Sequence, residues 1–238
     1  MSLPIFYIES AAAIHQIMTL PEEASKHIIQ VLRKHVGDQV QLTDGLGNLL
    51  TAEIVDDHKK KCSVRIVDAH YTAPAARTIT VAISLLKNAS RIEWFLEKVT
   101  EIGVQAIIPL ICERTEREHF RHDRMNSILI SAMLQSQQSW LPILHQPVGY
   151  EQLFRLEEVM KHEQKLIAHC LESNRKELRE EAQRAAGSQL ILIGPEGDFT
   201  PAEIDLALQH EFTPVVMGHN RLRTETAGVV AATLLKIA

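Results

Sequence analysis

The chain has 238 residues, of which 45% are hydrophobic and 23% charged, the balance of an ordinary globular protein able to bury a core in one large or two modest domains. No stretch has the length and uniform apolarity of a membrane span, and the first residues lack a charged segment followed by an apolar signal core, so cytoplasmic residence is expected. A formal net charge of −5 runs against a general nucleic-acid-binding signature, so an RNA partner would have to be met by local clusters of cations.

Residues 1–72 read as β-rich. Strands are expected at 5–8, 39–42, 49–55 and 62–67, with Asp44-Gly45 and Gly47-Asn48 supplying turn chemistry between the second and third. Before the second strand, 21–33 reads as a helix with Ile28, Val31 and Leu32 on one face. A small barrel with one helix fits. The run Lys59-Lys60-Lys61 reads equally as a solvated hairpin tip or as a phosphate contact. A short, proline-bearing stretch at 71–76 marks a domain boundary.

From residue 78 the rhythm changes. Strands are expected at 78–86, 104–111, 165–170, 189–193 and 214–217, and helices at 91–103, about 124–138, about 150–160, 173–186, 201–210 and from 225 onward. Such alternation argues for a parallel sheet covered on both faces. In helix 91–103 the apolar stripe is Ile92, Phe95, Leu96, Val99 and Ile102, while Glu93, Glu97 and Glu101 form a like-charge ladder that needs cations nearby, Lys98 among them. The last helix is apolar nearly all round, and so wants burial in the core or at a subunit interface as well. Cys62, Cys112 and Cys170 are odd in number and far apart, which suggests neither disulfides nor a CxxC metal site. His119 and His122 beside Asp123 lack further ligands at suitable spacing, and no metal is expected.

Two glycine-bearing loops carry the most specific signal. Gly-Pro-Glu-Gly at 194–197 and Met-Gly-His-Asn-Arg-Leu-Arg-Thr-Glu-Thr-Ala at 217–227 each follow a strand and enter a helix. In an open α/β sheet both then lie at the carboxyl ends of strands, where ligands sit. Thr200, Pro201 and Glu203 write a capped helix start. Gly194 and Gly197 permit a sharp turn and a close backbone approach. Basic patches are available at Arg33-Lys34 and at Arg114, Arg117, Arg121 and Arg124.

These loops, together with segments 85–103 and 108–115, resemble the RsmE family of 16S ribosomal RNA uracil-N3 methyltransferases, of the SPOUT superfamily, in order and size over essentially the whole chain. The resemblance implies an α/β fold: a SPOUT-type parallel sheet with a C-terminal trefoil knot over 73–238, preceded by a small PUA-like, RNA-binding β-barrel domain over 1–72. It implies S-adenosyl-L-methionine as cofactor, 16S rRNA of the small ribosomal subunit as partner, a uridine of the decoding region as target, and a homodimer. It also implies that Ala168, His169, Cys170, Leu192, Ile193, Gly194, Pro195, Glu196, Gly197, Met217, Gly218, Leu222, Arg223, Thr224, Thr226 and Ala227 line the cofactor. Lys87, Arg91, Glu101 and Arg114 would face the substrate, with Arg33 and Lys34 as further RNA contacts.

Methylation at uracil N3 requires loss of a weakly acidic proton, so a cation near O2 or O4 would stabilise the developing anion. Arg223 is the candidate, with Glu225 holding the loop or assisting proton removal. On the residues alone, Thr224 reads equally as a helix cap and Arg223 as a partner for Glu225. Three departures from the family pattern stand out: Asp198 where a second glycine is common, Asn-Arg-Leu-Arg at 220–223 for Arg-Ile-Leu-Arg, and Gln138 for a basic residue. Rival readings are ribose 2′-O methylation on the same fold and a non-catalytic RNA-binding assembly factor.

Overall fold

The computed structural model describes residues 3–116, 119–171, 175–184 and 186–238. They fall into two units, Met1–Pro74 with Met133–Leu141, and Ala75–Ala132 with Pro142–Ala238.

In the first unit β1 (Ile5–Tyr7), β2 (Ile17–Thr19), β3 (Gln39–Thr43), β4 (Asn48–Asp56) and β5 (Ser63–Tyr71) form a sheet of order β1-β3-β4-β5-β2. The β1–β3 pair is parallel and the others antiparallel. Alternate residues of β4, Leu50, Ala52 and Ile54, turn inward onto Val40, Leu42, Val64, Ile66 and Phe6, the period of two that a one-sided sheet requires. Gly45 and Gly47 take φ of 72° and 94° in the β3–β4 turn, where Asp44 accepts a bond from the Leu46 N–H at 2.9 Å.

The helix expected at 21–33 differs. It is a short α1 (Glu22–Lys26) that widens into a π-helical segment, His27–Val31. The Leu32 N–H donates to the His27 carbonyl, and this wider turn rotates the following residues off the buried face. Ile28 is fully buried, but Val31 is 68% exposed. The segment Met133–Leu141 is held to this unit by the Leu141 N–H donating to the Gly45 carbonyl at 2.9 Å and by Trp140 Nε1 donating to the Thr72 carbonyl at 2.9 Å.

The second unit runs β6 (Thr78–Ser84), α2 (Ala89–Ile102), β7 (Ala106–Ile111), α3 (His122–Gln135, its end belonging to the first unit), β8 (Ile143–Leu144), β9 (Val148–Gly149), α4 (Tyr150–Leu153) and α5 (Glu157–Met160). It continues with β10 (Gln164–Ala168), β11 (Lys176–Glu177), α6 (Leu178–Ala182), β12 (Ser188–Ile193), α7 (Pro201–Gln209), β13 (Thr213–Val216) and α8 (Thr224–Ile237). The sheet order is β11-β13-β10-β12-β6-β7-β8, with β9 also on β7, and its pairings are parallel. β6, β10 and β12 are buried at nearly every position, as a sheet covered on both faces demands.

Asn88 caps α2 and Gly103 ends it with φ 86°; Thr200 and Glu203 close the capping box that starts α7. The single helix expected at 150–160 is two short ones. The helix expected at 173–186 is β11 followed by α6, with residues 173, 174 and 185 outside the described residues.

Candidate active site

β13, β10 and β12 are neighbours in the sheet, and their register aligns Ala168 with Ile193 and Val215. The segments that follow them, 169–170, 194–197 and 217–223, therefore emerge together at the carboxyl edge. A Cβ at buried Gly194 would lie 3.0 Å from the Phe199 ring, and Gly218 holds φ 94°, so neither position suits a side chain. Asp198 holds φ 65°, a left-handed conformation that aspartate tolerates better than most residues. The departure from a second glycine thus keeps a glycine-like turn and adds two bonds. Asp198 Oδ2 accepts from the Cys170 N–H at 2.8 Å and Oδ1 from the Phe199 N–H at 2.9 Å, which ties the end of β10 to the loop after β12.

His169 is 5% exposed, yet neither ring nitrogen has a hydrogen-bond partner among the described residues. Burial pushes its pKa down; Asp198 opposes this and Arg175 adds to it. The ring is therefore neutral, with one N–H to donate and one nitrogen to accept. Buried polar groups are almost always satisfied, so this ring is suited to a ligand with donors and acceptors of its own. An adenosyl group, with its ring nitrogens, amino group and hydroxyls, fits that requirement.

Arg91, in the first turn of α2, donates from Nε and Nη2 to both carboxylate oxygens of Glu225, at 2.8 and 2.6 Å, and from Nη1 to Glu196. The Glu225 side chain is only 8% exposed. Burial pushes its carboxyl up, but the Arg91 guanidinium and its own backbone N–H outweigh that and hold it below the usual range. Glu225 is thus ionised and committed to a bidentate pair, which suits holding a loop better than taking a proton. Arg223 stands at the N-cap position of α8 with its side chain exposed, and Glu225 pairs with Arg91 rather than with it. Thr224 is the first residue of the helix, not its cap, and is buried.

Of the remaining residues expected on the substrate side, Arg114 and Lys87 stand near the first loop, Lys87 close enough for the Glu196 charge to act on it, whereas Glu101 lies elsewhere on α2. Arg114 Nη1 donates to the Gly197 carbonyl at 2.6 Å, so it stands at the first loop. Lys87 lies 2.7 Å from Glu116. Glu101 accepts from Lys98 at 2.9 Å, roughly 15 Å beyond Arg91 along the axis of α2, and does not share its cluster. Arg124, bonded to Glu93 at 2.6 Å, is the cation that the glutamate ladder needed beside Lys98. Arg33 and Lys34 belong to the first unit, where Lys34 is 3.8 Å from Asp38. Arg117 lies outside the described residues.

Among the described residues no group of three or more His, Cys, Asp or Glu can hold a metal ion, and no helix is long and apolar enough to cross a membrane. An open cleft of about 460 Å³, lined by Cys112, Glu113, Tyr150 and Glu203 among others, shares no residue with the glycine loops. Two bonds the sequence did not reveal, Asp198 to Cys170 and Arg91 to Glu196, knit the site together.

Residues 73–236 match the RNA methyltransferase domain family, and residues 20–67 the RNA methyltransferase PUA domain family. A solved structure described as a "probable rRNA-methyltransferase", from Porphyromonas gingivalis, is 37% identical with a TM-score of 0.87, and the match covers 97% of this chain and 95% of that one. A ribosomal RNA small subunit methyltransferase E from Neisseria gonorrhoeae, solved bound to S-adenosyl methionine, is 30% identical with a TM-score of 0.85, again over 97% and 95%. The Rickettsia conorii protein of the same name is 27% identical, over 97% of this chain and 94% of its own. With paired glycine loops on a parallel sheet, a PUA domain before them and a likeness spanning nearly the whole chain, this protein belongs to the RsmE family of RNA methyltransferases.

Proposed function

We propose that the protein transfers a methyl group from S-adenosyl-L-methionine to N3 of a uridine in the decoding region of 16S rRNA. One observation carries the reading: a buried, neutral His169 whose two ring nitrogens have no partner among the described residues, at the carboxyl edge of β10 between the loops of β12 and β13. Ala168 to Cys170, Leu192 to Gly197, Met217 with Gly218, and Leu222, Thr224, Thr226 and Ala227 would hold the cofactor. Bound there, it supplies an electrophilic methyl group on a sulfonium. The chain does the rest. Gly194 and Gly218 let the backbone approach, and the buried Leu192 and Ile193 keep water out. Exposed Arg223 offers donors to the uracil carbonyl edge as the N3 proton leaves to solvent and N3 takes the methyl group from the sulfonium, and Glu225, ionised and paired, holds the start of α8 that carries Arg223.

The trefoil knot is part of this reading. It is supported by the path of α8, which follows β13 on the outer side of β10 yet returns to lie on α2, β6 and β12. A cytoplasmic homodimer is proposed as well, because Val229, Val230 and Leu234 of α8 stay half-exposed and Ile237 is 75% exposed. An active protein that sediments as a monomer at micromolar concentration would exclude the dimer. Affinity for RNA is assigned to the PUA-like unit and to local cations, Arg33, Lys34, Lys87 and Arg114, since the total charge is negative.

The test is to incubate the protein with cofactor labelled in the methyl group and with small ribosomal subunits lacking modifications, then locate the label by mass spectrometry. Label on uracil N3 supports the proposal. Label on a ribose 2′-oxygen replaces it with the other SPOUT chemistry, and cofactor binding without transfer replaces it with an assembly factor.

A further inference from the structure

We infer that Arg91 is a positioning residue, a strut that fixes the two cofactor loops to each other, and not a contact for RNA. The inference rests on the functional reading above and names a residue for the same reaction. Its basis is the convergence of two carboxylates from different segments on one guanidinium: Glu196 from the loop after β12, and Glu225 from the first turn of α8. Three of the five N–H donors of the fork are thereby engaged, so a phosphate could reach Arg91 only by breaking bonds that hold the site.

The strut has a second anchor. Phe95 follows Arg91 by one turn of α2, and Gly228 follows Glu225 by about one turn of α8, so each pair shares a helix face. A Cβ on Gly228 would stand 2.4 Å from the Phe95 ring, so the helices touch there at van der Waals distance. One ion pair leaves two helices free to slide or rotate; an ion pair and a close contact on the same faces do not. The start of α8 is thus registered against α2, and the third nitrogen of Arg91 extends that registration to the loop carrying Gly194 and Gly197. Arg223, two residues before Glu225, inherits its position from this arrangement. Without Arg91, Glu225 would be left as a buried, uncompensated carboxylate.

The variants that test this are Arg91→Lys, which keeps the charge but cannot span both carboxylates, and Glu196→Gln, which leaves the Glu225 pair in place. The measurements are the thermal midpoint, cofactor affinity by calorimetry, and KM for small subunits against the single-turnover rate. Both variants should melt close to the wild type. Arg91→Lys should weaken cofactor binding and slow turnover roughly tenfold or more, as misplaced groups do, with KM for subunits unchanged; Glu196→Gln should move cofactor affinity in the same direction by less. Wild-type affinity and rate in Arg91→Lys would overturn the inference, as would a raised KM for subunits with cofactor affinity intact, which would make Arg91 an RNA contact. If the wild type itself binds no cofactor, the functional reading falls and the inference with it. If the wild type binds and Arg91→Lys binds equally well, the inference alone falls.

Discussion

Gly228 of α8 lies so close to Phe95 of α2 that a Cβ there would be 2.4 Å from the Phe95 ring and 3.1 Å from the Ile83 side chain. A glycine inside a helix costs about 1 kcal/mol relative to alanine, so its presence in α8 marks a contact that only a hydrogen allows. Gly228→Ala must push the helices apart or drive Phe95 from its rotamer, a penalty of about 1–3 kcal/mol that exceeds the propensity gain. Urea unfolding should show a less stable protein. A variant more stable than the wild type would mean that the α2–α8 contact yields freely and fixes nothing.

Asp198 offers a way to separate backbone conformation from side-chain bonding. Its left-handed φ of 65° suits glycine, and its carboxylate reaches the Cys170 N–H at 2.8 Å. Asp198→Gly keeps the turn and loses the carboxylate. Asp198→Ala loses the carboxylate and strains the turn by about 1–2 kcal/mol as well. The glycine variant should therefore melt above the alanine variant, while both bind S-adenosyl-L-methionine more weakly than the wild type. Undiminished affinity in both would show that the tie between the β10 end and the β12 loop has no part in the site.

Acid should weaken the fold in two stages. His169 and His162 both have pKa values pushed down by burial, so the unfolded chain takes up protons before the folded one. Stability from their neutral forms is complete above the unfolded histidine value of about 6.5 and is lost progressively as pH falls below it. Glu225 acts in a lower window. Its carboxyl is held below the usual range, so its contribution is present above the unfolded value of about 4.3 and disappears as pH falls through the folded one. Thermal midpoints measured between about pH 8 and pH 5 should fall, and His169→Gln should flatten that slope in part. Cofactor affinity should fall over the same range in the wild type, because a protonated ring loses its acceptor. A slope unchanged in His169→Gln would remove His169 from this account.

What the sequence made legible was local. The helix start at Thr200 is visible because its capping box joins residues three apart, with the Thr200 N–H donating to Glu203 at 2.8 Å and the Glu203 N–H to Thr200 at 3.3 Å. The long apolar runs of β6 and β12 announce a sheet covered on both faces in the same way. Pairings across the chain leave no such trace. Arg91 and Glu225 are 134 positions apart, and a cation reads the same in sequence whether it meets RNA or a carboxylate, so the pair could not be seen there. β8, β9 and β11 are two residues each, too short to carry an alternation. The π-helical segment at His27–Val31 escapes because periodicity assumes the ordinary turn, so Val31 was placed on the buried face.

Arg223 is the residue on which the chemistry can be tested most directly. It occupies the N-cap position of α8 with an exposed side chain, while the two residues after it, Thr224 and Glu225, are buried. The residue is thus held at its base by a buried helix start while its side chain is exposed, which suits a group that meets a substrate edge. Its planar fork can present two donors to a carbonyl edge, which lysine cannot reproduce. Loss of one preorganised donor lowers turnover by about a hundredfold or more. Arg223→Ala should therefore depress single-turnover methylation strongly while cofactor affinity and thermal midpoint change little, because the guanidinium is not the partner of Glu225, whose bidentate bonds go to Arg91. Arg223→Lys should recover part of the rate by keeping the charge. Equal losses in cofactor binding and turnover would make Arg223 a cofactor ligand, and a normal rate in the alanine variant would leave stabilisation of the uracil anion to another group.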